Sequence, residues 1–221
     1  MREQLGQTVR VVWAVSLESA SKIPGWKQAD VVIGKDSVIR FDGKKNKLDL
    51  EPVASLTDMN GSTMQRGLFV ALRDAPVSTL LDIEGYKVLW GPEDCDEKSK
   101  APRQTLKELE IATAEGVVCQ SCSIAAKDLM ALPTGSKAVA VISSYAAPLL
   151  EGCGTIKKGD LRIIGQSDEV PFISAFVSKA LPMPLQNAIQ KSLLEMKSDN
   201  MLQALETKSG FVAYKLPQKK S

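Results

Sequence analysis

The chain of 221 residues contains no histidine. That removes Ser-His-Asp and Cys-His nucleophile pairs and most catalytic zinc sites. Carboxylate or lysine chemistry is what remains open to an enzyme. Aromatic residues make up only 5%, which argues against a base-stacking surface. Neither sign of charge dominates: Lys+Arg 28 and Asp+Glu 26 leave +2, with acids and bases interspersed, so there is no basic footprint for nucleic acid. No apolar run is long enough to span a bilayer. Residues 1–8 are polar and lack the apolar stretch of a secretion signal. Either the chain is cytoplasmic or its export signal lies outside this sequence. Cysteine is sparse as well. Cys95, Cys119, Cys122 and Cys153 allow three disulfide pairings. Their single C-x-x-C fits a redox pair, half of a metal site or two small buried residues. No cofactor is indicated.

What the chain does contain is enough apolar material, 44%, to bury a full core in one large domain or two small ones. The most informative stretch covers residues 86–110. It opens with a strand-type run, Val88-Leu89-Trp90, and Gly91-Pro92 breaks it. A polar loop follows, and a helical pattern begins at Pro102 with Leu106 and Leu109 on one face. Strand, loop and helix build open α/β sheets, whose ligand crevice lies at the carboxyl ends of the strands. Helix N-termini there offer unpaired N–H groups to anions.

The same pattern recurs along the chain. Residues 9–15, with Trp13, read as a buried strand. Residues 16–21 read as a short capped helix ending near Pro24-Gly25. Residues 29–34 form a second strand, followed by a loop holding Lys35, Asp36 and Ser37. Residues 42–47, charged and Gly-containing, read as a hairpin tip. Strands follow at 68–72 and 116–119. Ser121-Cys122-Ser123 then opens a helix carrying Ile124, Leu129 and Met130. Residues 138–142 are the next strand, ending in Ser143-Ser144-Tyr145. Segments 161–165 and 171–173, an amphipathic helix over 184–196 and a short run at 210–212 complete the pattern. The basic run 215–221 is expected to fray.

These segments together resemble the phosphonate-binding proteins of ABC importers, a branch of the two-lobed periplasmic solute-binding proteins. In that family a strand and Gly turn are followed by Pro-Asp-Ser-Thr-Ser-Gly, a few residues and Pro-Arg. Here Gly91 and Pro102-Arg103 keep the spacing, and Asp94 matches the family Asp. Cys95-Asp96-Glu97 stands where the family's Ser-Thr-Ser cradles the phosphonate oxygens. The passage from Asp74-Ala75-Pro76-Val77 to Gly85 is similar to the family's "D-S-P-I-x-S-L-x-D-L-x-G-K". The strand at 29–34 is similar to "G-x-V-D-I-A", and the stretch to Tyr145 to "G-A-V-x-S-Y". An aromatic ligand common in the family is replaced by Val38. The resemblance runs from Ala29 onward. The family's first strand and helix have no counterpart, so the sequence reads as lacking that front end, or as a natural short variant.

The resemblance implies an α/β fold of the type II periplasmic-binding-protein kind, two α/β lobes around a ligand cleft. One lobe would comprise residues 1–83 plus 170–221, the other 84–169. It implies a non-catalytic solute-binding component, located in the periplasm or otherwise outside the cytoplasm. Its partners would be a small solute of oxyanion type and an ABC permease in the membrane, without nucleic acid and without membrane insertion. Candidate ligand groups are Lys35, Asp36 and Ser37 from one lobe, and Asp96, Ser121, Ser123, Ser144 and Tyr145 from the other. The loop from Asp94 to Lys98 reads either as a modified ligand loop or as a charged surface turn complementing a helix dipole. If it faces the cleft, its acids favour a cationic or zwitterionic solute, or a metal. A second reading is a metal- or thiol-dependent redox or sensor protein on the same fold, using Cys95, Cys119 and Cys122. Disulfides among these cysteines, or free buried thiols, are the plainer alternatives. A third is a degenerate family member that only docks to a partner protein.

Overall fold

Strand pairing divides the chain. The computed structural model describes residues 6, 8–26 and 28–215. It resolves into two units, Met1–Met64 with Pro171–Ser221, and Gln65–Val170. The expected boundary after residue 83 differs because the strand at 67–72 is laddered on both sides to strands of the second unit. The chain passes between units within two short strands, β3 (Met64–Gln65) and β9 (Val170–Pro171), which pair with each other.

The first unit has a four-stranded antiparallel sheet ordered β1-β10-β2-β11. Its strands are β1 (Val31–Lys35), β2 (Leu50–Leu56), β10 (Ile173–Ser178) and β11 (Phe211–Ala213). Helix α6 (Met183–Leu194) lays Ile189 and Leu193 on Ala54, Leu56, Ala175, Val177 and Phe211. Each large aliphatic side chain buried this way contributes roughly 1.5–3 kcal/mol. Helix α7 (Asp199–Ala204) precedes β11. The short helix α1 (Leu17–Ser21) forms as its sequence predicts. Ser16 accepts from the Ser19 N–H, and Ser19 answers from the other side, a reciprocal cap.

Two expectations for this unit are overturned. Residues 9–15 are not a buried strand: Val11, Trp13 and Val15 are exposed, Trp13 at 91%. Among the described residues, β1 pairs only with β10, so no strand stands beside its outer edge to receive that segment. Residues 42–47 are not a hairpin tip. They lie in and just after helix α2 (Asp36–Lys45), whose Asp36 and terminal Lys44 and Lys45 suit the helix dipole.

The second unit is built on a five-stranded sheet ordered β6-β5-β7-β4-β8. The strands are β4 (Gly67–Leu72), β5 (Lys87–Trp90), β6 (Ala114–Val118), β7 (Ala138–Ser143) and β8 (Leu161–Gln166). β5, β6 and β7 run parallel, while β4 is antiparallel to β7 and β8. Helices α3 (Lys100–Glu108), α4 (Cys122–Met130) and α5 (Ala146–Gly152) cover it. The alternation of β4 sorts the core onto two faces. Leu68 and Val70 join Leu89, Ala140, Ile142 and the Ala125, Ala126 and Leu129 stripe of α4. Phe69 and Ala71 join Val88, Trp90, Val139, Val141 and Leu106 of α3. Every residue of β7 is buried, as expected for a central strand covered on both faces.

Candidate functional site in the second unit

Parallel strands align their carboxyl ends, and the residues that follow β5, β6 and β7 therefore share one rim of the sheet. After β5 comes Gly91, then a turn of 3-10 helix, Asp96–Lys98, leading into α3. This segment is pinned tightly. Gly91 N–H donates to the Lys98 carbonyl, and the Lys98 and Ser99 N–H groups both donate to the Cys95 carbonyl. A Cβ at Gly67 would stand 2.1 Å from the Glu97 carbonyl oxygen and 2.6 Å from Pro102 Cγ. The turn and the start of α3 thus press directly on β4.

That pinning decides how the loop presents its charges. Glu97 is fully buried and Lys98 is 5% exposed, whereas Asp96 is half-buried and Glu93 exposed. Two of the loop's charges are thus enclosed, while Glu93, Asp94 and Asp96 remain in reach of solvent. Arg103, which continues the Pro-Arg pair, lies with its guanidinium 4.1 Å from the Trp90 ring centroid, a cation–π contact. Trp90 in turn meets Phe69 edge-on at 6.5 Å.

After β6 comes the N-terminus of α4. Ser121 caps it, accepting from the Ile124 N–H at 3.1 Å. The Cys122 and Ser123 N–H groups, at the first two helical positions, belong to the set that has no partner within a helix. Ser123 is half-buried. After β7 come Ser143, Ser144 and Tyr145. The Ser143 hydroxyl donates to Gln65 Oε1 at 2.9 Å and accepts from the Tyr145 N–H. Ser144 is bound in both directions to Arg66. Its N–H donates to the Arg66 carbonyl and its hydroxyl accepts from the Arg66 N–H at 3.0 Å. Arg66 itself pairs with Glu169 at 2.8 Å. Arg66 also lines a shallow cleft of about 300 Å³ with Thr105, Glu108, Gln166 and Asp168.

The remaining candidates lie in the first unit. Lys35 ends β1, and Asp36 and Ser37 open α2 rather than a loop. Asp36 is 2% exposed. Its carboxylate holds Arg40 at 2.6 Å, and Arg40 also donates to the Tyr214 hydroxyl at 2.8 Å.

The cysteines do not assemble. None of the four is disulfide-bonded, with Cys95 and Cys119 buried, Cys122 half-buried and Cys153 exposed. Among the described residues, no group of three His, Cys, Asp or Glu side chains could hold a metal ion. Cys122 Sγ accepts from the Ser143 N–H, and Cys119 Sγ contacts Asp128 at 3.8 Å. Burial pushes the Cys119 thiol up, Asp128 adds to it, and Lys98 opposes both. A raised thiol is the reverse of the activated thiolate of redox centres. Nothing here supports the redox or sensor reading.

The two α/β units and this rim define a substrate-binding protein of the two-lobed periplasmic kind. The chain belongs to the family of phosphonate periplasmic substrate-binding proteins of ABC transporters, whose model matches residues 1–219. No curated protein sequence matches it. Solved structures share its fold at low identity. One is a binding-protein component of an ABC phosphonate transporter from Pseudomonas aeruginosa, with TM-score 0.69 and 14% identity, covering 96% of this chain and 72% of that one. Another is PhnD1 from Prochlorococcus marinus in complex with methylphosphonate, with TM-score 0.68 and 10% identity, covering 97% and 84%. A Xanthomonas citri protein bound to ATP has TM-score 0.69 and 16% identity, covering 85% and 73%. No described helix is long and apolar enough to cross a membrane.

Proposed function

We propose that this chain is the non-catalytic component that captures a small phosphorus oxyanion outside the cytoplasm and hands it to an ABC permease. The observation that carries this reading is the family match over residues 1–219. The geometry supports it, because the strand ends of the second unit present a helix N-terminus with serine hydroxyls and orphan N–H groups. Of the two carboxylates that stand in the Cys95-Asp96-Glu97 part of this loop, Glu97 is fully enclosed and Asp96 alone reaches solvent. The proposed ligand groups are Asp96, Ser121, Ser123, Ser144 and Tyr145 in the second unit and Lys35, Asp36 and Ser37 in the first. Asp36 and Ser144 already hold Arg40 and Arg66, so their contribution is to position those neighbours. The test is calorimetric titration of the chain with methylphosphonate, inorganic phosphate and sulfate. Saturable binding of one equivalent of a phosphorus oxyanion is expected. Binding of none, with retained folded structure, overturns the proposal.

A further inference from the structure

Three hydrogen bonds join the residues that follow β7 to the segment by which the chain enters the second unit. The Ser143 hydroxyl donates to Gln65 Oε1 at 2.9 Å. The Ser144 N–H donates to the Arg66 carbonyl at 2.9 Å, and the Ser144 hydroxyl accepts from the Arg66 N–H at 3.0 Å. Gln65 lies on β3 and Ser143 ends β7, 78 positions further along the chain. Both are enclosed, Gln65 at 4% exposure and Ser143 at 3%. A buried carboxamide and a buried hydroxyl each need a partner. An apolar pair of the same shape would fill this space at little cost, so packing alone does not account for a polar one.

The groups of Ser143 lead from Gln65 to the rim. A serine hydroxyl rotates until a partner fixes it. With its hydrogen given to Gln65, the Ser143 oxygen keeps its lone pairs for the Tyr145 N–H, which donates to it at 3.3 Å. The Ser143 N–H donates to Cys122 Sγ at 3.4 Å, and Cys122 is the first residue of α4. Ser143 is thus bonded to two of the segments that carry proposed ligand groups. One is the start of α4 with Ser121 and Ser123, and the other is the turn with Tyr145.

We propose that Gln65 is a positioning residue of the oxyanion site, acting through the Ser143 hydroxyl to hold the turn after β7 against the N-terminus of α4. The inference rests on the solute-binding reading and adds to that site a residue outside the sequence motifs. The Gln65 carboxamide contributes no charge. It fixes where the Tyr145 and α4 groups stand, and donors held in place bind more tightly than donors that must first be ordered. The ligand class is a compact tetrahedral oxyanion, a chemistry shared by phosphonates and free phosphate.

The experiment titrates the full chain with methylphosphonate and with inorganic phosphate, as wild type, Gln65→Met, Ser143→Ala and the double variant, with a ligand-free melt of each. Gln65→Met keeps the length of the side chain and removes its acceptor. It is expected to lose roughly threefold to tenfold in affinity, the span of one ordinary hydrogen bond. Ser143→Ala is expected to lose a similar factor. The double variant should fall no more than about twofold below the weaker single one, because both substitutions break the same link. The tighter of the two anions identifies the source. A pair that served folding alone would lower the melting points and leave the affinity of the folded protein unchanged. Wild-type affinity in Gln65→Met or in Ser143→Ala, or losses that multiply in the double variant, overturns this inference and leaves the functional reading standing. Ser143→Ala removes a single oxygen, so it carries the test where Gln65→Met does not fold. Absence of binding by the wild type overturns both.

Discussion

The side chain of Lys98 lies across the α-carbon of Gly91, so closely that a Cβ on Gly91 would meet Lys98 Cβ at 2.3 Å. This contact ties the end of β5 to the turn that opens α3. Gly91→Ala must displace the turn, and overpacking of this kind costs about 1–3 kcal/mol. The urea midpoint is expected to fall with an unchanged slope, and oxyanion affinity to fall with it. An unaltered midpoint would show that the turn yields freely.

In the first unit, the buried Asp36 carboxylate is held by Arg40, which also reaches Tyr214. Arg40→Ala leaves that carboxylate without its guanidinium, and a loss of about 1–3 kcal/mol is expected. Asp36→Asn combined with Arg40→Ala should recover part of it. Chemical denaturation of the four proteins of this cycle measures the coupling.

Tyr214 gives the same cluster an alkaline limit. Burial raises its phenol above the ordinary value, Asp36 adds to the rise and Arg40 offsets part of it. A folded-state pKa above the unfolded one contributes stability that is complete below about pH 10, the unfolded tyrosine value, and is lost as pH rises through the folded one. Tyr214→Phe is expected to remove that part of the alkaline decline. Stability measured from pH 8 to 11 in both proteins tests it; identical slopes would exclude the effect.

Cys153 and Cys119 should react very differently. Hydrogen bonding with Thr155 holds the exposed Cys153 thiol below the usual cysteine range, while burial pushes Cys119 up. Reactivity follows thiolate fraction and access. Timed iodoacetamide labelling at pH 7.5 with peptide mapping is expected to modify Cys153 first, by a factor of at least about ten. Comparable rates would contradict the burial of Cys119.

Phe69 is fully buried between Ala71, Val88 and Trp90. Phe69→Ala is expected to cost about 3–5 kcal/mol. Leu81→Ala, at a side chain 69% exposed, should stay within about 0.5 kcal/mol. Thermal melts of the two variants provide the comparison.

Much of the second unit could be read from its residues. β5, β7 and the Ser121 cap of α4 were visible because their apolar runs and small polar terminators are local signals. The family itself was legible from the order of those signals, with Gly91 and Pro102-Arg103 as anchors. Less was legible where pairing or context decides. Residues 9–15 have the composition of a strand, yet a strand exists only beside a partner, and none of the described strands offers them one. Residues 42–47 have the polarity of a turn, yet the dipole and the packing of Ile39 carry the helix through Lys45.

The loop that departs from the family shows the same division. Its sequence determined that three hydroxyl residues had been replaced by Cys95-Asp96-Glu97, and that acids now stood near an expected anion. It did not say which of the charges would be enclosed. Burial depends on what the turn packs against, and only the approach of Glu97 and Pro102 to Gly67, and of Lys98 to Gly91, settled that Glu97 and Lys98 are covered while Asp96 is half-buried. Local pattern determined the elements, because helix and strand periodicity act over a few residues. The fate of each charge was decided by tertiary packing, because solvation is set by neighbours distant in the chain.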